Sequence, residues 1–148
     1  MKNVKDILAV KGSKVWSISP NAKVFEALKL MAEKQIGALM VMDDKGRMEG
    51  IITERDYARK IILFGKSSKE TLVSEIMTPA GKMFHVGPDN TVEECMVLMT
   101  AKHVRHLPVC EGEKFTGLVS IGDVVKAIIS EKDALIEQLS NYISGKYM

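Results

Sequence analysis

The apolar positions of this chain follow two rhythms that alternate twice along its length. Val24, Ala27, Leu28, Met31 and Ala32 recur at the three- and four-residue spacing of a helix with one buried face. Ala38–Met42 and Met48–Ile52 are instead short apolar runs either side of Asp43-Asp44-Lys45-Gly46, which reads as strand, hairpin turn and returning strand. Val15–Ile18 is a short strand before them, followed by a turn with capping residues at Ser19-Pro20-Asn21. Gly37 is expected to end the first helix. A second helix begins near Glu54, with Tyr57, Ala58, Ile61 and Ile62 facing inward. The unit is β-α-β-β-α.

That unit recurs. Val4-Lys5-Asp6-Ile7-Leu8 matches Val73-Ser74-Glu75-Ile76-Met77, and Val15–Pro20 matches Met83–Pro88. Val24, Leu30, Met31 and Lys34 return as Val92, Leu98, Met99 and Lys102, and Leu39-Met40-Val41 as Leu107-Pro108-Val109. The offset slips from 69 to 68 to 67 residues, each slip falling in a loop, where insertions are tolerated. The second copy predicts a strand at Met83–Val86, a helix at 91–103, strands at 106–110 and 115–119, and a helix at 122–131. Leu135, Ile136, Leu139 and Ile143 then mark a helical tail whose apolar stripe covers either the module or a second subunit. Two copies are too few for a solenoid. The expected fold is α/β (α+β): repeats at 1–66 and 67–132 packed about a pseudo-two-fold axis, and a C-terminal helix within 133–148.

The repeat contains a doubled junction. Gly50-Ile51-Ile52-Thr53-Glu54-Arg55-Asp56 is echoed by Gly117-Leu118-Val119-Ser120-Ile121-Gly122-Asp123. An apolar strand that stops at a hydroxyl residue delivers the chain to a helix N-terminus, where backbone N–H groups and the helix dipole suit anions. Thr53-x-x-Asp56 and Ser120-x-x-Asp123 also fit a helix capping box, in which hydroxyl and carboxylate satisfy each other's backbone amides. The duplication and the glycine three residues before each hydroxyl favour a second role. The glycine is expected to leave room for a ligand near the backbone. The short aspartate is expected to accept from ligand hydroxyls.

Composition narrows the partners. With 148 residues, 46% hydrophobic and 27% charged, the chain is an ordinary globular one. A net charge of +2, spread without a basic block, argues against nucleic acid or an anionic membrane. No apolar run approaches the length of a membrane span, and the N-terminus lacks the apolar core of a signal peptide. Cys95 and Cys110 have no metal or disulfide spacing and read as reduced thiols, Cys95 in the core. Together these give a cytoplasmic expectation. The ten methionines read as core filling. His103-x-x-His106 lacks a third ligand, so no metal is expected. No nucleophile stands beside a base and an oxyanion hole, so no enzyme activity is expected either. Trp16 could stack on a base, but burial is the simpler reading.

The repeat pattern, Leu107-Pro108-Val109 and the two Gly-x-x-[Ser/Thr]-x-x-Asp junctions resemble a tandem cystathionine β-synthase (CBS) domain pair, or Bateman module. The likeness covers nearly the whole chain. Thr53–Lys60 and Glu75–Thr78 are similar to stand-alone bacterial members and their plant organellar relatives. The resemblance implies a regulatory, non-catalytic module that binds an adenine nucleotide between the repeats. AMP is the leading ligand, with ATP, ADP or NAD(H) as alternatives. It further implies a homodimer acting on an effector protein of unknown identity. A redox or energy sensor binding NAD(H) and a ligand-free interaction scaffold are the rival readings. By resemblance, one site would use Thr53 and Asp56 with His85, Val86, Val104, Arg105 and His106. The other would use Ser120 and Asp123 with Ser17, Ile18, Gly37, Ala38 and Leu39. Arg105 and His106 are charge-capable donors, so the Asp56 site is expected to prefer the more anionic ligand and the Asp123 site to accept a smaller or differently shaped one.

Overall fold

The computed structural model describes residues 2–143, so Met1 and the 144–148 end of the expected tail lie outside the described residues. The chain forms two compact units. A central one runs from Lys14 to Phe84, and a terminal one combines the residues up to Ser13 with those from His85 onward.

In the central unit, β1 (Ser17–Ile18) pairs parallel with β2 (Ala38–Met42), and β2 pairs antiparallel with β3 (Met48–Thr53). The helix α2 (Val24–Lys34) lies between β1 and β2 in sequence and buries Val24, Ala27 and Met31. After β3 comes α3 (Glu54–Tyr57), which widens into a π-helical turn at Ala58–Ile62. The short α4 (Val73–Ile76) and β4 (Thr78–Pro79) complete the unit, β4 pairing antiparallel with β3.

The terminal unit repeats this plan. It contains α1 (Val4–Lys11), α5 (Val92–Lys102), the antiparallel pair β5 (His106–Glu111) and β6 (Lys114–Ser120), and α6 (Ile121–Ile143).

Each unit is closed by the helix that leads the other repeat. In the central unit, the amides of Val73 and Ser74 donate to the carbonyls of Ala22 and Pro20 at 2.8 and 3.0 Å, and Val24 N donates to Thr71 O at 2.8 Å. In the terminal unit, Val4 and Lys5 donate to Asn90 and Pro88 at 2.9 Å each, and Val92 N to Lys2 O at 3.1 Å. These are the same bonds at repeat-equivalent positions. They satisfy helix N-terminal amides that otherwise lack intrahelical partners. Val73 and Ile76 enter the core of Val24, Met31, Leu39, Val41 and Ile52; Val4 and Ile7 enter that of Val92, Met99, Leu107, Val109 and Val119.

Four expectations change. Gly37 does not end α2: Gln35 takes the left-handed cap (φ 54), as His103 (φ 55) does after α5, and the Gln35 amide bonds back to Ala32 and Met31. Ile61 is buried, but the wider turn rotates Ile62 off the inward face, leaving it 57% exposed; Ala58 is exposed as well. The strand expected at Met83–Val86 reduces to a single bridge between Val86 and Val109. Its counterpart β1 is bonded by Met40 N to Trp16 O at 3.2 Å; Pro108 stands at the equivalent of Met40 and has no N–H to donate. Finally, the second-repeat helix and the tail helix are one 23-residue helix, α6. Its stripe at Leu135, Ile136 and Leu139 is exposed, so it does not cover the terminal unit to which the helix belongs.

Gly50 and Gly117 also have a different purpose from the one expected. A Cβ on Gly50 would run into the carbonyl oxygen of Thr78, and one on Gly117 would meet Leu8 Cδ1 at 3.0 Å. The space each glycine leaves is filled by the leading segment of its own unit. Gly50→Ala must displace backbone and is expected to cost about 1–3 kcal/mol. Gly117→Ala can be accommodated by rotating the end of Leu8. Thermal melts should therefore show a much larger loss for Gly50→Ala.

Candidate functional site

Both junctions fold as reciprocal capping boxes. At the end of β3, Thr53 Oγ1 accepts from Asp56 N at 3.2 Å, and Asp56 Oδ2 accepts from Thr53 N at 2.9 Å. At the end of β6, Ser120 Oγ accepts from Asp123 N at 3.2 Å, and Asp123 Oδ2 accepts from Ser120 N at 2.8 Å. The first helical amide is used too: Glu54 N donates to Gly37 O at 3.0 Å and Ile121 N to Arg105 O at 2.8 Å. Two amides of each helix N-terminus are thus occupied internally, and the picture of freely available N–H groups narrows accordingly.

These bonds join each junction to the segment that follows the first helix of its own repeat. Ala38 is the register partner of Thr53, and His106 that of Ser120. In the central unit Ser17 and Ile18 lie on β1, Gly37 just before β2, and Ala38 and Leu39 within it. In the terminal unit Val86 bridges β5, His85 precedes it, and Val104 and Arg105 lead into His106. Leu39 and Val86 are core residues, whereas Arg105 and His85 are exposed. Gly37 also borders an open depression of about 300 Å³ with Leu28, Met31, Ala32, Gln35, Ile36 and Glu54.

Each aspartate has acquired a lysine. Lys60 Nζ lies 3.3 Å from Asp56 Oδ1 and donates to Ile76 O at 2.8 Å. Lys11 Nζ donates to Asp123 Oδ2 at 2.7 Å and to Leu118 O at 3.0 Å. Burial pushes the Asp123 carboxyl upward, but the hydrogen bond from Lys11 and that from the Ser120 amide outweigh it, leaving its pKa below the ordinary 3.8. Lys60 is legible in sequence as an i,i+4 partner on the same helix. Lys11 is not, because 112 residues separate it from Asp123.

His106 is not a cation here. Burial first, and then the charge of Lys11, push its pKa down to about 4; Asp123 opposes them and Arg105 adds to them. The imidazole is neutral at pH 7, so the cationic side chains of this region are Arg105 and Lys11. Lys11 stands at the junction to which the sequence assigned no charge. Cys95 is a core thiol, raised to about 11 by burial first and then by Glu94. Trp16 is half-buried against the central core, with the ammonium groups of Lys14 and Lys34 at 4.5 and 4.3 Å from its ring centre. Among the described residues, no group of three or more His, Cys, Asp or Glu is placed to hold a metal ion.

Two β-α-β-β-α repeats, each ending its hairpin in a capped hydroxyl–aspartate junction and each completed by the other's leading helix, define a paired-domain module. The chain belongs to the CBS-domain family, whose model matches residues 4–63 and again 73–130. It is 43% identical to the mitochondrial CBS domain-containing protein CBSX3 of Arabidopsis thaliana over 92% of this chain, spanning 66% of that protein's length. A solved CBS-domain protein from Burkholderia ambifaria MC40-6 is 48% identical, with a TM-score of 0.81 over 87% of this chain and 95% of that one. The fold is shared at 24% identity by CBSX2, solved in complex with AMP (TM-score 0.70, covering 89% of this chain and 99% of that one).

The depressed His106 pKa sets a pH dependence. The unfolded chain protonates this side chain near 6.5 and the folded chain only near 4, so between those values the unfolded state binds more protons. Stability is fully present above pH 6.5, falls as pH drops through the window, and levels near pH 4. Denaturant unfolding across this range should show that decline, and His106→Gln should flatten it. The Asp123 contribution is lost at lower pH, as the medium passes below 3.8 toward its depressed pKa.

Proposed function

We propose that this chain is a non-catalytic regulatory module that binds an adenine nucleotide, with AMP the leading ligand. The observation that carries this reading is the doubled junction, in which Thr53 and Asp56, and again Ser120 and Asp123, are locked in one geometry by reciprocal bonds. Each carboxylate is thereby pre-oriented, and each lies at a helix N-terminus whose dipole favours an anion. Ribose hydroxyls would donate to the aspartates, and phosphate would lie toward the hydroxyl side chains and the lysines. The family membership supports the regulatory role, and AMP in a CBSX2 complex of the same fold supports the ligand class.

The remaining residues implied by the resemblance belong to the same proposal: Ser17, Ile18, Gly37, Ala38, Leu39, His85, Val86, Val104, Arg105 and His106 would complete the binding surfaces. ATP, ADP and NAD(H) share the adenosine moiety and are the competing ligands. The module would act in the cytoplasm on a separate effector protein. It would do so as a homodimer, for which the exposed Leu135, Ile136 and Leu139 of α6 offer an apolar face.

The decisive experiment combines native mass spectrometry with calorimetric titration of AMP. A dimer retaining or taking up AMP is expected, with binding reduced in Asp56→Ala and in Asp123→Ala. At a concentration ~100 times its dissociation constant, AMP should stabilise the fold by about 2.7 kcal/mol. A flat thermal response to AMP, ATP, ADP and NAD(H) would instead favour an interaction scaffold, and a monomer or a higher oligomer would refute the dimer.

A further inference from the structure

The two leading helices begin alike and end differently, and the difference places one charge. Val4–Leu8 and Val73–Met77 are equivalent, but α4 stops at Ile76 whereas α1 continues to Lys11. Pro79 accounts for the early stop. It cannot continue a helix, and it pushes the preceding Thr78 into extended backbone, so this chain runs on as β4 beside β3. Ala9-Val10 stands at the equivalent place in the first repeat and adds another helical turn.

That turn carries Lys11 to the Ser120–Asp123 junction. Its backbone is fixed beforehand: Asn3 and Asp6 cap α1 reciprocally, Val4 is fully buried, and Leu8 packs over Gly117. The ammonium meets Asp123 Oδ2 at 2.7 Å and Leu118 O at 3.0 Å, which engages two of its three N–H donors. His106 beside it is neutral at pH 7, and two amides of the α6 N-terminus are taken. An anionic ligand arriving at Ser120 would otherwise face the Asp123 carboxylate, a like charge. Lys11 cancels that charge and has a donor to spare.

We propose that Lys11 is a specificity-determining residue of the Ser120–Asp123 junction, setting its preference for a phosphorylated nucleoside over the unphosphorylated one. The inference rests on the nucleotide reading above. It gives this junction, to which the sequence assigned no charge, an anion preference of its own, supplied by the first repeat's leading helix and not by Arg105 and His106, which the resemblance places at the Asp56 site.

The test uses the full chain in an Asp56→Ala background, which leaves one intact aspartate junction. AMP and adenosine are titrated separately into this protein and into its Lys11→Gln and Lys11→Arg derivatives, with ligand-free melts to verify folding. Lys11→Gln is expected to lose roughly fivefold in AMP affinity while adenosine affinity changes little, and Lys11→Arg to keep most of the AMP preference. Raising the salt concentration should narrow the AMP-to-adenosine ratio in the Lys11 protein and hardly affect it in Lys11→Gln. An equal loss for both ligands would mean that Lys11 only supports the fold, and no change for either would remove it from the site. Both outcomes overturn the inference and leave the nucleotide reading standing. If the unsubstituted chain binds neither AMP nor adenosine, AMP is removed as the leading ligand and this inference fails with it.

Discussion

The structure depends on an exchange: neither repeat closes its own core. Val73 and Ile76 lead the second repeat in sequence yet are buried with Val24, Leu39 and Ile52 of the first. Val4 and Ile7 lead the first repeat and are buried with Val92, Leu107 and Val119 of the second. Each such side chain contributes about 1.5–3 kcal/mol when it leaves water, and the leading segments also complete the hydrogen bonds of the helix N-termini they meet. A single repeat without its exchanged helix would expose an apolar groove and orphaned amides together. The duplication is therefore an obligation of the fold as well as a feature of the sequence.

The junctions inherit their precision from this packing. Glycine at positions 50 and 117 lets the exchanged segment lie directly on the strand that ends in Thr53 or Ser120. The strand then hands over to a helix whose first amides are satisfied by Gly37 or Arg105 and by the capping hydroxyl. A carboxylate fixed in this way carries little rotational entropy to lose on binding. The cost is that carboxylate oxygens are already engaged within the protein. At Asp123 both bonds fall on Oδ2 and a ligand can use Oδ1, whereas at Asp56 Oδ2 accepts from Thr53 N and Oδ1 faces Lys60, so a ligand must share one of them.

Symmetry is broken at the charges as well as in parts of the frame. Asp56 is paired with Lys60 from its own helix, and Asp123 with Lys11 from the exchanged one. The lysines themselves differ between the repeats, Lys11 aligning with Ala80 and Lys60 with Ala127. Pro79 adds a difference in path: it turns the second leading segment into a strand, whereas the first stays helical long enough to bring Lys11 in. Pro108 has a comparable effect on the sheet, removing the donor that would have fastened a full first strand in the terminal unit. Pro79 and Pro108 thus mark two places where the backbone paths of the halves part.

The sequence alone determined the repeat, the helix, hairpin and second helix within each copy, and the identity of the junctions; the leading helices α1 and α4 and the strand β4 were not among the elements it predicted. The predicted features rest on local periodicity, on turn residues and on a hydroxyl followed three residues later by an acid, all of which act over a few residues. Lys60 was within reach of the same logic. Only the tertiary structure decided which helix closes which core, because exchanged and unexchanged partners have the same apolar pattern. It alone decided that the junction glycines make room for protein, since a glycine signals space without naming its occupant. It also decided that burial leaves His106 neutral while Lys11 supplies the charge. Desolvation and long-range pairing depend on neighbours from distant parts of the chain, and no spacing rule encodes them.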